Sequence, residues 1–152
     1  MFNRLALFAG LLTAVVFVSS SALAHCQVPC GIYDDDARHT AMMEDANTIE
    51  KAMKLINELA PKTDGQSANQ VVRWVNTKEE HATRIIDVIS VYFLTQKLKP
   101  VAEEADGRAK YLTRLEAAHG VMKAAMKTKQ TVDISNVEAL RNALKAFHTA
   151  MK

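Results

Sequence analysis

The sequence predicts an all-α fold, an antiparallel four-helix bundle with a short segment set in front of it. Three observations carry that prediction. Apolar residues recur at three- and four-residue spacing through four stretches, those stretches are separated by polar, proline- and glycine-bearing breaks, and strand-like alternation is sparse. Four amphipathic helices joined by short connections bury their apolar faces most simply as an antiparallel bundle.

Residues 1–24 stand apart from the fold. Arg4 gives a short positive start, "LALFAGLLTAVVFV" a compact apolar run, and "SSSALA" a stretch of small residues with Ala22 and Ala24 where a signal peptidase reads. The run is short of the ~20 apolar residues of a membrane span. We therefore expect residues 1–24 to be a signal peptide, cleavage after Ala24, and export to the periplasm or the medium, with no membrane attachment after cleavage. Cleavage removes Arg4, the one charge in the segment, so the net charge falls from +2 to +1. A near-neutral chain lacks the clustered basic stripe of a nucleic-acid binder, and none is expected as a partner.

The bundle is expected over residues 34–152. After "DDD" at 34–36, which offers a cap and favourable negative charge to a helix start, Ala41, Met42, Ala46, Ile49, Ala52, Met53, Ile56 and Leu59 mark one face. Pro61 and "KTDGQ" end that helix. The Ser-x-x-Gln form of "SANQ" predicts a second start near Ser67. That helix runs through Val71, Val72, Val75, Ile85, Val88, Ile89 and Tyr92 toward Leu98, with a bend expected near "WVNTK". Pro100 suits the first turn of a third helix, with Tyr111, Leu112, Leu115, Ala118, Met122, Ala125 and Met126 facing inward. "TKQTVD" is the last break. "SNVE" at 135–138 reads as a capping box for a fourth helix carrying Val137, Leu140, Leu144, Phe147 and Met151.

No Glu-x-x-His pair and no HExxH lies in these helices, so the chemistry is sought at the N-terminus. His39, His119 and His148 read as helix-face residues. Met42, Met43, Met53, Met122 and Met126 read as core filler, and Trp74, Tyr92 and Phe93 as core or subunit contacts.

The segment "HCQVPCGIY", residues 25–33, holds both cysteines of the chain directly after the expected cut. A disulfide between Cys26 and Cys30 would close a ring with only three residues between them and remove little chain entropy, so a redox or metal-binding pair is the stronger reading. A mature start at His25 offers a metal the α-amine and imidazole of His25, the amide nitrogen of Cys26, and the thiolates of Cys26 and Cys30. Amine, amide and two sulfurs can share a plane, which suits Ni(II) or Cu(II) better than tetrahedral zinc. Pro29 and Gly31 suit a tight turn.

These nine residues resemble the nickel hook of nickel-containing superoxide dismutases, His-Cys-x-x-Pro-Cys-Gly-x-Tyr, with every fixed position filled. The resemblance implies a metal-binding hook at 25–33, one nickel ion per subunit, superoxide as substrate, Ni(II)/Ni(III) cycling to dioxygen and hydrogen peroxide, and a homohexamer of bundles. It implies His25, Cys26 and Cys30 as metal ligands and catalytic residues, with Tyr33 ordering water or product near the metal. Where relatives often carry an acidic residue after the first cysteine, this chain has Gln27. An arginine that supports the axial imidazole in some members falls, by the local likeness of "KEEH", on His81; its glutamate partner falls by counting on Ala41. Two other classes compete. An exported metal-binding or metal-delivery protein would use the same Cys-x-x-x-Cys thiolates without turnover, and a copper "histidine brace" would need a second histidine on a β-sandwich.

Overall fold

The computed structural model describes residues 34–152; the expected signal peptide and the hook at 25–33 lie outside the described residues. The described chain is helical throughout its regular structure: α1 Asp35–Leu59, α2 Gly65–Asp87, a π-helical segment Val88–Lys97 continuing α2, α3 Arg108–Lys129 and α4 Ser135–Met151. Neighbours pack as α1 on α2, α2 on α3, α3 on α4 and α4 back on α1, the closed ring of the predicted bundle.

Each start has a local cause. Asp34 caps α1, its Oδ1 accepting from the Asp36 N–H at 2.8 Å, and Asp35 and Asp36 place negative charge at the positive end of the helix. The second helix begins two residues earlier than the Ser67 start expected from "SANQ". Asp64 is the cap, accepting from the backbone N–H of Ser67 at 2.9 Å and from its hydroxyl at 2.7 Å, so Ser67 sits inside the first turn as donor. No capping box forms at 135–138 either: Asp133 Oδ1 accepts from the Ser135 N–H at 3.0 Å, and Glu138 turns to Arg141 instead.

The largest departures flank Leu98. No bend is needed at "WVNTK", because α2 runs unbroken through Asn76 and Thr77, whose hydroxyl returns to the Arg73 carbonyl. The turn widens further on, over Val88–Lys97, and at the end of that segment the Leu98 N–H donates to Phe93 O at 2.9 Å, the i→i+5 spacing of a π-helix. This turns Ile89, Tyr92 and Phe93 together into the core. Phe93 meets Tyr92 and Phe147 edge to face, with centroids 4.9 and 4.8 Å apart. The third helix starts at Arg108 and not at Pro100: the chain is already extended at Leu98, with ψ 103°, proline disfavours a helical Lys99, and residues 98–107 form a connection. Gly107, at φ 93°, makes the left-handed turn into α3, and Arg108 donates to Val101 O at 2.7 Å to close it.

The core joins Met42, Ala46, Ile49 and Met53 of α1 to Ala82 and Ile85 of α2, Ala118, Val121 and Ala125 of α3, and Val137, Leu140, Leu144 and Phe147 of α4. Val72, Leu112 and Met126, expected inside, are exposed; Ala41 is exposed as well. Lys78 is buried yet satisfied, its ammonium donating to the carbonyls of Thr128 and Lys129 at the end of α3 at 2.9 and 2.5 Å. No helix among the described residues is long and apolar enough to cross a membrane.

Candidate functional site

Asp34 is where the chain passes from the described bundle to residues 25–33, and three contacts fix the bundle at that point. Asp35 accepts from the Tyr92 hydroxyl at 2.6 Å and pairs with Lys97 at 3.0 Å, tying the first turn of α1 to the π-helical segment. The carboxylate beside Lys97 raises its pKa, and burial followed by the Asp35 hydrogen bond raises that of Tyr92. Asp36 lies 2.6 Å from His148 Nε2 on α4, and this hydrogen bond lowers the Asp36 pKa.

His148 also stacks on His39, the two rings 4.0 Å apart and 9° from parallel. His39 Nδ1 is buried without a hydrogen-bond partner among the described residues. Burial first, and the neighbouring His148 second, hold the His39 pKa below its ordinary value. The helix-face reading of these histidines therefore holds, with a pairing that spacing alone did not show. His119 is exposed on α3.

Two of the cavities on the surface of the described bundle bear on this end of the molecule. One, about 520 Å³, opens between α1 and the α2–π helix and is lined by Ala41, Glu44, Asp45, Thr48, His81, Arg84, Asp87 and Val88. Ala41 and His81, the two positions that the family resemblance pairs, line the same cavity. Asp45 Oδ1 is 2.6 Å from His81 Nδ1, and the side chains are only 14% and 19% exposed. Asp45 escaped sequence reasoning. The available signal was its place one helical turn after Ala41, on the same face of α1. The second cavity, about 320 Å³, is basic, with Lys97, Lys99, Lys110 and Arg114 around Tyr111 and Gly107. Arg114 is held by the Ala150 and Met151 carbonyls, and Lys97 by Asp35.

Among the described residues no group of three or more His, Cys, Asp or Glu side chains is placed to hold a metal ion. Of the sequence-predicted site residues the structure thus places His81; His25, Cys26, Pro29, Cys30, Gly31 and Tyr33 lie outside the described residues.

Neither the curated proteins nor the solved structures gave a match to this chain. The sequence model of the nickel-containing superoxide dismutases matches residues 20–152, which takes in the whole described bundle and the residues leading into it. A four-helix bundle matched over that range identifies the protein as an enzyme with a nickel cofactor: the chain belongs to the nickel-containing superoxide dismutase family.

Proposed function

We propose that this dismutase works through a hook at residues 25–33, exposed when an exported precursor is cut after Ala24. The observation that carries the reading is "HCQVPCGIY", which fills each fixed position of the hook pattern in a chain of this family. The donor set fits nickel. Two thiolates, an amine, a deprotonated amide and an imidazole give the soft, electron-rich ligation that planar Ni(II) takes and that brings its higher oxidation state within reach of superoxide.

Bound nickel supplies the one-electron Ni(II)/Ni(III) couple by which two superoxide ions and two protons become dioxygen and hydrogen peroxide. The residues of the chain do the rest. His25 would hold the metal through its α-amine and its imidazole, Cys26 through its amide nitrogen and thiolate, and Cys30 through the second thiolate. Pro29 and Gly31 are residue types suited to a tight turn between the two thiolates. The Tyr33 hydroxyl would order water near the metal and could pass a proton, which solvent would replace. Superoxide is a small anion, so charge steers it better than shape. Lys97, Lys99, Lys110 and Arg114 give positive potential near Asp35, where the chain enters α1. The assembly we expect is a homohexamer with one nickel per subunit, for which the exposed Val72, Leu112 and Met126 offer apolar contact.

Metal analysis of the mature protein, joined to a superoxide assay, tests the reading. One nickel per chain with turnover is expected, and Cys26→Ser or Cys30→Ser should abolish both while leaving helicity intact, since the hook is outside the bundle core. A Cys30→Ser protein that keeps nickel and turnover would overturn it, and stable nickel binding without superoxide consumption would favour the metal-delivery class.

A further inference from the structure

The cavity at the start of α3 gathers positive charge that the bundle does not need for its packing. It measures about 320 Å³, at the small end of the range for ligand sites; four of its lining side chains are cationic, Lys97, Lys99, Lys110 and Arg114, and none is acidic. Two of the four are held in place. Arg114 donates to the carbonyls of Ala150 and Met151 at 3.0 and 3.3 Å, and Lys97 pairs with Asp35 at 3.0 Å while lying over the Tyr92 ring. Lys99 and Lys110 are exposed and have no ion pair among the described residues. Like charges around one hollow repel each other, so this lining favours an anionic occupant.

The backbone adds a separate source of positive potential. Gly107, Lys110 and Arg114 repeat at helical spacing along the face of α3 that lines the cavity. Gly107 is also the N-cap of that 22-residue helix, and no side chain caps the first turn. The positive end of the helix and its first N–H groups therefore stand at the cavity wall. Beside the charge lies an apolar wall, formed by Leu98, Val101 and the Tyr111 ring.

We propose that this cavity binds a small soluble phosphate monoester, the phosphate on Lys99, Lys110, Arg114 and the α3 N-terminus and the organic body against Tyr111. The remaining N–H groups of the Arg114 guanidinium suit phosphate oxygens, and the lysines act as point charges. The surroundings favour a small ligand over an extended polyanion. Glu103, Glu104 and Asp106 are exposed on the same connection, where they would repel an acidic membrane or a nucleic-acid backbone. The site does not depend on the nickel hook.

Calorimetric titration of the nickel-loaded mature chain at low ionic strength tests this, with phenyl phosphate and inorganic phosphate as probes. We expect one phenyl phosphate per chain, bound more tightly than inorganic phosphate, and in heteronuclear NMR the amides of Ala109 and Lys110 should be among those that shift most. Lys99→Gln with Lys110→Gln should weaken binding at least about 10-fold. Lys51→Gln with Lys54→Gln removes the same charge at a different cavity and should leave binding unchanged. Equal weakening by both pairs, or no saturable heat, would overturn the site in favour of diffuse ion attraction. Inorganic phosphate bound as tightly as phenyl phosphate would overturn the ester assignment. Loss of binding in Cys26→Ser would move the phosphate to the metal, and capture by phosphatidylglycerol vesicles that phenyl phosphate does not release would move the charge to a membrane; either would overturn the proposal.

Discussion

Replacing Asp35 with alanine removes the contact that anchors the bundle where the chain leaves it for the hook. The magnitude can be built from three parts. The hydrogen bond from the Tyr92 hydroxyl is 2.6 Å long with a charged acceptor, and such bonds contribute about 1.5–3 kcal/mol. The ion pair with Lys97 joins side chains that are 42% and 37% exposed, so solvent screening limits it to under about 1 kcal/mol. Negative charge in the first turn of a helix adds roughly 0.3–1 kcal/mol. The expected loss is therefore about 2–4 kcal/mol, or a thermal midpoint lower by about 10 °C in a chain of this length. Chemical denaturation of Asp35→Ala, Tyr92→Phe and the double variant isolates the first part, with an expected coupling of about 1.5–3 kcal/mol. A coupling below about 0.5 kcal/mol would show that the hydroxyl–carboxylate bond does not hold α1 to the π-helical segment.

Two further outcomes are expected. Because the folded-state pKa of His39 lies below its ordinary value near 6.5, the unfolded chain binds the extra proton first, so stability should fall as pH drops from 6.5 toward the folded value. Asp36 is shifted the same way, downward, by its hydrogen bond to His148, so its contribution is lost only as pH falls from its ordinary 3.8 toward the lower folded value. The groups around His39 are Asp36 on its own helix and His148 and Lys152 from the C-terminal end; His39→Phe keeps a ring against His148 and should flatten the profile just below pH 6.5. An unchanged slope would refute the assignment. Reversing charge at Lys99 and Lys110 together should lower kcat/KM for superoxide several-fold at low ionic strength and reduce its salt dependence, with kcat nearly unchanged; stopped-flow decay across a salt series checks this, and identical slopes would refute steering by this patch.

Much of the bundle was legible because helical periodicity is a local property. Met42, Ala46, Ile49, Ile85, Leu140 and Phe147 are buried where a 3.6-residue repeat puts them. Errors arose where two local signals competed. Asp64 outranks Ser67 as a cap because its carboxylate reaches both the backbone and the hydroxyl of Ser67, and Pro100 marks a connection because it also constrains Lys99. The π-helical widening at Val88 has no comparable local signature; it is set by the packing of Tyr92 and Phe93 against α1 and α4. The proposed hook rests on its own residues, since the donors assigned to it lie within six positions of one another in sequence. Asp45 was not legible, because its partner is 36 residues away and only the α1–α2 pairing brings the two together.

The central claim is that the α-amine of His25 is a ligand, and a single residue placed before it tests this most directly. Such an extension converts the amine into a peptide nitrogen while leaving both thiols, the bundle and the net charge almost untouched. The mature chain is expressed with a cleavable N-terminal extension, loaded with nickel, and assayed for superoxide turnover before and after a cut that leaves His25 first. The nickel-hook reading predicts turnover only after the cut. Equal turnover in the extended and cut forms would contradict it.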